Sequence, residues 1–364
     1  MGNTGIRTFA KSISTNLLRN SLPFAGTIKD GETVKIESFD WTGGQIKIDD
    51  SADDVKNVDL TKVRYLSGPF EIEGSMPGDL LLVEIMDVQP FQDRPWGFTV
   101  IFDRHNAGGF LDKTSPSAYF AGLVHPGILG CAPSAKWNAR EAALIAANRL
   151  DRDVAMPGAR TIPGRPEHGG NCGIKNLSRG SKAYLPVHVP GAKFSVGDLH
   201  LSQGDGEISF CGAIEMAGII TMKCSVIKNG IPGPVEPQCA PVQYLYSEGF
   251  SITYATVAYW QTKLRCIEYL RRFGYSDYQI YHLLSCAPVQ GHVAGIVDIH
   301  NACTTLGLPM DIFDFNISPS STVGKLDMGP CAFESGRTEG LVRLEDAGTK
   351  SEIRFGDGLT YKQG

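Results

Sequence analysis

Gly197-Asp198-Leu199-His200-Leu201-Ser202-Gln203-Gly204-Asp205-Gly206-Glu207, followed by Ala213-Ile214-Glu215, is the stretch on which the fold turns. Carboxylates, an imidazole and an amide are packed among glycines, with apolar segments on both sides. Alternation of Asp198, His200 and Ser202 predicts one face of a β-strand, because successive side chains point to opposite sides. Gln203-Gly204-Asp205-Gly206 has the chemistry of a turn, glycine supplying positive φ. Glu207, Ser209, Cys211, Ala213 and Glu215 then share one face of the returning strand. Carboxylates and an imidazole converging from such a hairpin form a site for a metal ion or for acid–base work. The competing reading is a polar hairpin whose carboxylates pair with arginine or lysine, or touch a neighbouring subunit.

Outward from this stretch, Ala183 to Val189, Asp198 to Ser202, Glu207 to Glu215 and Gly218 to Lys228 all read as strands, so residues 182–228 form the expected β core. Upstream, Glu32 to Ile36 and Gln45 to Ile48 alternate about a Thr42-Gly43-Gly44 turn. Leu80 to Val88 reads as a strand buried on both faces, and Trp96 to Phe102 is a further apolar run. Asn106 to Phe110 is a glycine loop that lets backbone approach a ligand. His125-Pro126-Gly127 closes the apolar Phe120 to Val124, either as a structural residue or as part of a site. Residues 138–150 predict a helix capped by Asn138, and a Pro/Gly-rich connection at 157–170 leads into Gly169-Gly170-Asn171.

Helices come late. Val257, Trp260, Leu264, Ile267 and Leu270 repeat at threes and fours and stop at Phe273-Gly274. A second helix opens with Ser276 and Gln279 in a capping box. A strand is expected over Ala294 to Ile299, and residues beyond about 317 read as a partly ordered tail. The expectation is therefore a β-rich α+β fold. A β-sandwich-like core over 1–230 is followed by a helix-pair part over 231–317 and a tail over 318–364.

The chain has 364 residues, 42% hydrophobic and 20% charged, which suits a globular protein with a real core. A formal charge of −5 argues against a nucleic-acid-binding surface. No apolar run has the length of a membrane span, no secretory pattern opens the sequence, and Ile6 stands where a myristoylation motif needs Ser or Thr. A cytoplasmic protein is expected. Nine cysteines without a CxxC pair fit reduced thiols, and Cys211, Cys224, Cys266 and Cys286 read as small buried hydrophobes. The acidic cluster Asp49, Asp50, Asp53 and Asp54 reads as a solvated loop, with Asp40 the better site candidate because strands flank it.

A set of ordered motifs gives a further indication. These are Ser67-Gly68-Pro69, Pro77-Gly78-Asp79-Leu80, Trp96-Gly97-Phe98-Thr99, His125-Pro126-Gly127, Gly169-Gly170-Asn171, Leu185-Pro186-Val187, the stretch from Asp198 to Glu215 and Gly233 to Pro237. Together they resemble the acetamidase/formamidase family over about residues 1–320, closest to its longer formamidase-type branch. The resemblance implies hydrolysis of a small aliphatic amide (formamide first, acetamide second) by a homo-oligomer. It also implies a bound divalent cation, zinc being the first choice. His200 with Asp198 and Glu215 are the implied metal ligands. Glu207 is the implied acid–base group, with Asp205, Asn171 and His125 as further catalytic candidates. Gln203, Gly169 and Gly170 are the implied substrate-binding positions, the glycine N–H groups and Asn171 facing an oxyanion. Two departures stand out: Gly173 and Gln290 occupy positions where the family pattern carries carboxylates. Segments also appear missing near 116–120, before Trp137 and between Ser251 and Tyr254. These departures imply, as the alternative, a catalytically impaired member with a binding or assembly role.

Overall fold

The computed structural model describes residues 6–11, 14–15, 22–49, 53–59, 62–103, 108–110, 122–132, 169–171, 173–208, 211–230, 242–246, 253–295, 301–329, 352–354 and 360–362. In chain order the strands begin with β1 (Arg7–Phe9), β2 (Ser14–Thr15), β3 (Gly26–Ile28), β4 (Glu32–Ser38), β5 (Leu66–Ile72) and β6 (Leu80–Pro90). There follow β7 (Ile101–Asp103), β8 (Gly108–Phe110), β9 (His125–Gly130), β10 (Gly169–Asn171), β11 (Lys182–Pro186) and β12 (Phe194–Gln203). The remainder are β13 (Ala213–Met216), β14 (Gly218–Ile227), β15 (Val242–Tyr246), β16 (Gln290–Gly295), β17 (Asn301–Gly307), β18 (Glu352–Arg354) and β19 (Thr360–Lys362). The helices are α1 (Asp53–Lys56), α2 (Thr253–Arg271) and α3 (Asp277–Cys286).

One sheet runs β1-β4-β14-β6-β11 and a second runs β10-β9-β12-β5-β2, with β13 on β12 and β3 on β5. Val34 and Ile36 of β4, Val83 and Ile85 of β6, and Ile220 and Met222 of β14 face Phe70 of β5, Leu129 of β9, and Phe194 and Val196 of β12 in one apolar core. The two sheets thus pack face to face; β4 and β14 alternate buried with less buried residues, whereas β5, β9 and most of β12 are buried on both faces. The β-rich expectation holds. A third sheet, β15-β17-β16, carries the helices. Cys266 and Leu270 of α2, Phe273 just beyond its end, Ile280 of α3 and Leu306 of β17 form its own apolar cluster.

Several local expectations are corrected. Gln45 to Ile48 is not a strand. The Thr42 hydroxyl accepts from Gln45 N at 3.1 Å, and the Gln45 side chain donates to Thr42 O at 2.9 Å, so local turn bonds take groups a ladder would need. β6 is buried on both faces only at its start; Met86 is exposed near its end. In α2 the buried stripe passes through Thr262, Cys266 and Leu270, and Leu264 is exposed. The hydroxyls of Thr262 and Thr304 meet at 2.7 Å and fix that rotation. The strand expected over Ala294 to Ile299 instead begins at Gln290, and 296–300 lie outside the described residues, as do 138–150 and 157–168. The capping box is present, with Ser276 Oγ accepting from Gln279 N. Past 317 the described chain has no regular structure to 329, yet Leu326 N bonds Phe273 O at 2.9 Å.

Candidate metal centre

β12 lies between β9 and β5, so both of its edges are paired, and from Phe194 to His200 it is buried on both faces. Phe194 and Val196 enter the core, and a strict alternation would send residue 198 after them. Asp198 instead takes φ +55, an unusual conformation for a residue with a side chain, and the phase slips by one. Leu199 becomes the next core residue, while Asp198 and His200 turn to the opposite side. A second slip follows: His200 pairs with Glu215 and Ser202 with Ile214, which leaves Leu201 as the extra residue of a β-bulge. The expected Asp198–His200–Ser202 face is therefore corrected. Gln203, not Ser202, joins His200. The expected tight turn at 203–206 is also longer, since β13 begins only at Ala213.

Glu215 is held from both sides. Its strand pairs with β12, and Phe98 exchanges backbone bonds with it at 2.9 and 2.7 Å. Its Oε2 lies 3.1 Å from His200 Nε2, and Asp198 Oδ1 lies 3.6 Å from the same nitrogen. One ligand-type atom from each of Asp198, His200 and Glu215 falls within 4.8 Å of the other two, and all three residues are buried. Neither His200 Nε2 nor Glu215 Oε2 makes a hydrogen bond of normal geometry. At 3.1 Å the two atoms are close enough to bond, so it is the direction of approach that fails, as for groups arranged around a common point. Gly127 keeps that space open, because a Cβ there would stand 2.6 Å from His200 Cε1 and 2.7 Å from Nε2. An imidazole nitrogen with two carboxylate oxygens fits a borderline divalent cation such as zinc.

Electrostatics follow from burial against pairing. Burial pulls the His200 imidazole down, but Glu215 and Asp198 outweigh it and hold its pKa well above the usual value. Asp198 is pushed up by burial and pulled further down by His200, with help from Arg64. Burial wins at Glu215, whose pKa rises to about 7. His125, fully buried beside His200, is pushed down to about 4 by burial and then by the His200 charge.

The remaining expected positions separate. Gln203 and His125 lie against His200: Gln203 Oε1 is 2.9 Å from His200 Nδ1, and His125 Nε2 is 3.3 Å from it. Asn171 and Glu207 are buried, and a Cβ on Gly173 would collide with Glu207 Oε2. Glu207 thus fills the space beside Gly173. Asp205 is not in the buried cluster. It is half-exposed, paired with Lys175 at 2.9 Å and His292 at 3.1 Å. Gly169 lets β10 approach β9, where a Cβ would meet Leu129 O at 2.5 Å. Gln290 is exposed at the start of β16. Sequence reasoning gave no site role to Gly127 or Arg64, whereas Cys211, expected on the Glu215 face as a small buried residue, is buried there. The Cys211 thiol lies 3.9 Å from Glu215 Oε1, and its pKa is raised by burial and then by that carboxylate. Asp40 is a turn residue: its carboxylate accepts from Thr42 N at 2.8 Å.

A two-sheet core with a buried imidazole–carboxylate set on the other side of β12 defines a β-rich protein with a candidate metal centre, and comparison with known proteins gives the family. The sequence profile of the Acetamidase/Formamidase family matches residues 8–121 and 116–315. A formamidase from Methylophilus methylotrophus is 43% identical, with 85% of this chain and 91% of that protein covered. A Schizosaccharomyces pombe protein carrying a provisional formamidase name is 56% identical over 86% of this chain and 92% of its own length. The solved structure of a gamma lactamase from Delftia acidovorans has a TM-score of 0.57 at 41% identity, covering 88% of this chain and 94% of that one. The chain belongs to the acetamidase/formamidase family and is an enzyme of the amidase class.

Proposed function

We propose that this protein hydrolyses a small aliphatic amide, formamide to formate and ammonia first among them, with a divalent cation held by Asp198, His200 and Glu215. The observation that carries the reading is the buried nitrogen–oxygen–oxygen set, whose facing atoms His200 Nε2 and Glu215 Oε2 make no normal hydrogen bond. Zinc is the first candidate, since three protein ligands leave a position for water. When bound, the ion would supply Lewis acidity, lowering a water's pKa and polarising the amide carbonyl. The chain's own residues supply the rest. Glu207, buried on the loop after Gln203, takes the water's proton and delivers it to the departing nitrogen. Asn171, buried at the end of β10, donates toward the developing oxyanion.

The six described cysteines are free thiols, which supports a reducing cytoplasmic location. Assembly with further copies rests on the family resemblance alone. No described helix is long and apolar enough to cross a membrane.

The test is ammonia release from formamide and acetamide with zinc supplied, repeated after exhaustive chelation. Release from formamide that chelation abolishes is expected. Full activity after chelation removes the cation from the reading. Absence of release from every amide would leave a binding or assembly role for a silent family member. A second reading, a cyclic amide, is favoured by the likeness to the gamma lactamase. Ring-opening of a five-membered lactam at a higher kcat/KM than formamide would select it.

A further inference from the structure

The Gln203 side chain touches four groups, and donor–acceptor chemistry leaves one arrangement for them. Its Nε2 donates to the carbonyls of Gly173 and Ala294, the latter at 3.2 Å. Both partners only accept, so the amide cannot flip without setting its oxygen against two others. Oε1 is thereby fixed toward the histidines, 2.9 Å from His200 Nδ1. An amide oxygen only accepts, so His200 must carry a proton on Nδ1. On the other side, His125 Nδ1 donates to Leu123 O at 2.6 Å, which leaves the Nε2 of a neutral His125 bare. That bare nitrogen, 3.3 Å from His200 Nδ1, accepts a share of the same proton. His125 Nε2 also lies 3.3 Å from Gln203 Oε1, and with both of these atoms accepting, the single hydrogen on His200 Nδ1 is shared between them.

We infer that Gln203 is the positioning residue of the site: it fixes His200 with Nδ1 protonated and so presents Nε2 to the cation between Asp198 and Glu215. The inference rests on the cation reading above. Histidine ligands commonly have the ring nitrogen away from the metal bonded to an acceptor, which sets tautomer and ring orientation. Here that acceptor is an amide whose own direction is set by two carbonyls from distant parts of the chain. With both Nε2 hydrogens taken, Gln203 has no donor left for a substrate, and the inference gives it a positioning role beside the substrate-binding role expected of it.

The experiment compares Gln203→Leu with Gln203→Glu. Leucine removes acceptor and donors together. Glutamate keeps an acceptor for His200 Nδ1 but cannot donate to Gly173 O and Ala294 O. Zinc affinity by chelator competition is expected to fall about 10–100-fold in Gln203→Leu. In Gln203→Glu it stays within a few-fold of the parent or tightens, although the thermal midpoint falls in both. Equal loss of affinity in the two variants, or none in Gln203→Leu, would overturn the inference, because a purely structural role follows stability rather than the acceptor. A second readout is independent of zinc. In protein labelled with nitrogen-15 at histidine, an exchange-protected imidazole N–H, lost in His200→Asn, should be present in the parent and in Gln203→Glu. It should lose its protection in Gln203→Leu. Absence of that resonance from the parent sinks the positioning role. Its presence in a parent that binds no zinc keeps the role and removes only the cation.

Discussion

Glu215 and Glu207 are both buried carboxylates following β12, and their surroundings differ. Glu215 faces the His200 ring, whereas Glu207 sits against Gly173. Glu207→Gln, which keeps shape and removes the base, is expected to lower kcat about 10²–10⁴-fold with zinc content unchanged. Zinc content falling in parallel would make Glu207 a ligand instead. Gly127→Ala places a methyl against His200 and within 2.8 Å of Asp198 O. It is expected to cost about 1–3 kcal/mol of stability by overpacking, read by urea unfolding, and to reduce bound zinc. At this scale the sequence was informative about residue type and silent about partners. Asp198, His200 and Glu215 could be picked out because two carboxylates and an imidazole so close together are rare in apolar sequence. Gly127 could only be noted as a glycine beside His125, because what requires it is a ring from a strand far along the chain. Asp205 looked equivalent to its neighbours, yet Lys175 and His292, the residues that take it out of the cluster, are remote in sequence.

Among the elements, β12 shows why period-two reading stops short. Its apolar and polar positions are legible, but the positive φ at Asp198 and the bulge at Leu201 each shift the phase, and both depend on the strands alongside. The turn before β6 was easier, because Pro77-Gly78-Asp79 carries its own chemistry. There Asp79 accepts from Met76 N at 2.9 Å and Asn229 N at 3.1 Å, and pairs with Lys228 at 2.8 Å, tying that turn to the end of β14. Burial pushes the Asp79 pKa up, but Lys228 and these backbone donors hold it below the usual carboxylate value. A depressed folded pKa means that the contribution is complete above the unfolded value, near 3.8, and disappears as pH falls through the folded one. Asp79→Asn is therefore expected to lose about 1–2 kcal/mol at pH 7, with the gap to the parent closing in acid. A gap independent of pH would assign the loss to packing.

For the whole molecule, the two-sheet core and the late helices follow from patterns spread along the chain, so the fold class was readable before any single contact. The two pieces of the family match meet at 116–121, where a segment seemed missing, so the comparison breaks where the motifs did. Thiol chemistry gives a test at this scale. Cys131 and Cys224 are wholly buried, and burial raises their pKa, Cys224 to about 12, whereas Cys286 is exposed. Alkylation of native protein followed by peptide mapping should label Cys286 well before either of them. Rapid labelling of Cys131 or Cys224 would contradict the packed core. A last consequence comes from Ala294, whose carbonyl receives Gln203 Nε2 and also Gly206 N, the latter at 3.1 Å. The strands of both main sheets are complete by Ile227, yet the region around His200 acquires its final neighbour only when β16 arrives. On a ribosome, a chain that has emerged only to the end of β14 can have its sheets without a finished centre. The last partner of Gln203 is thus made well after the sheets that carry it, and a chain that ends before β16 is a scaffold before it is an enzyme.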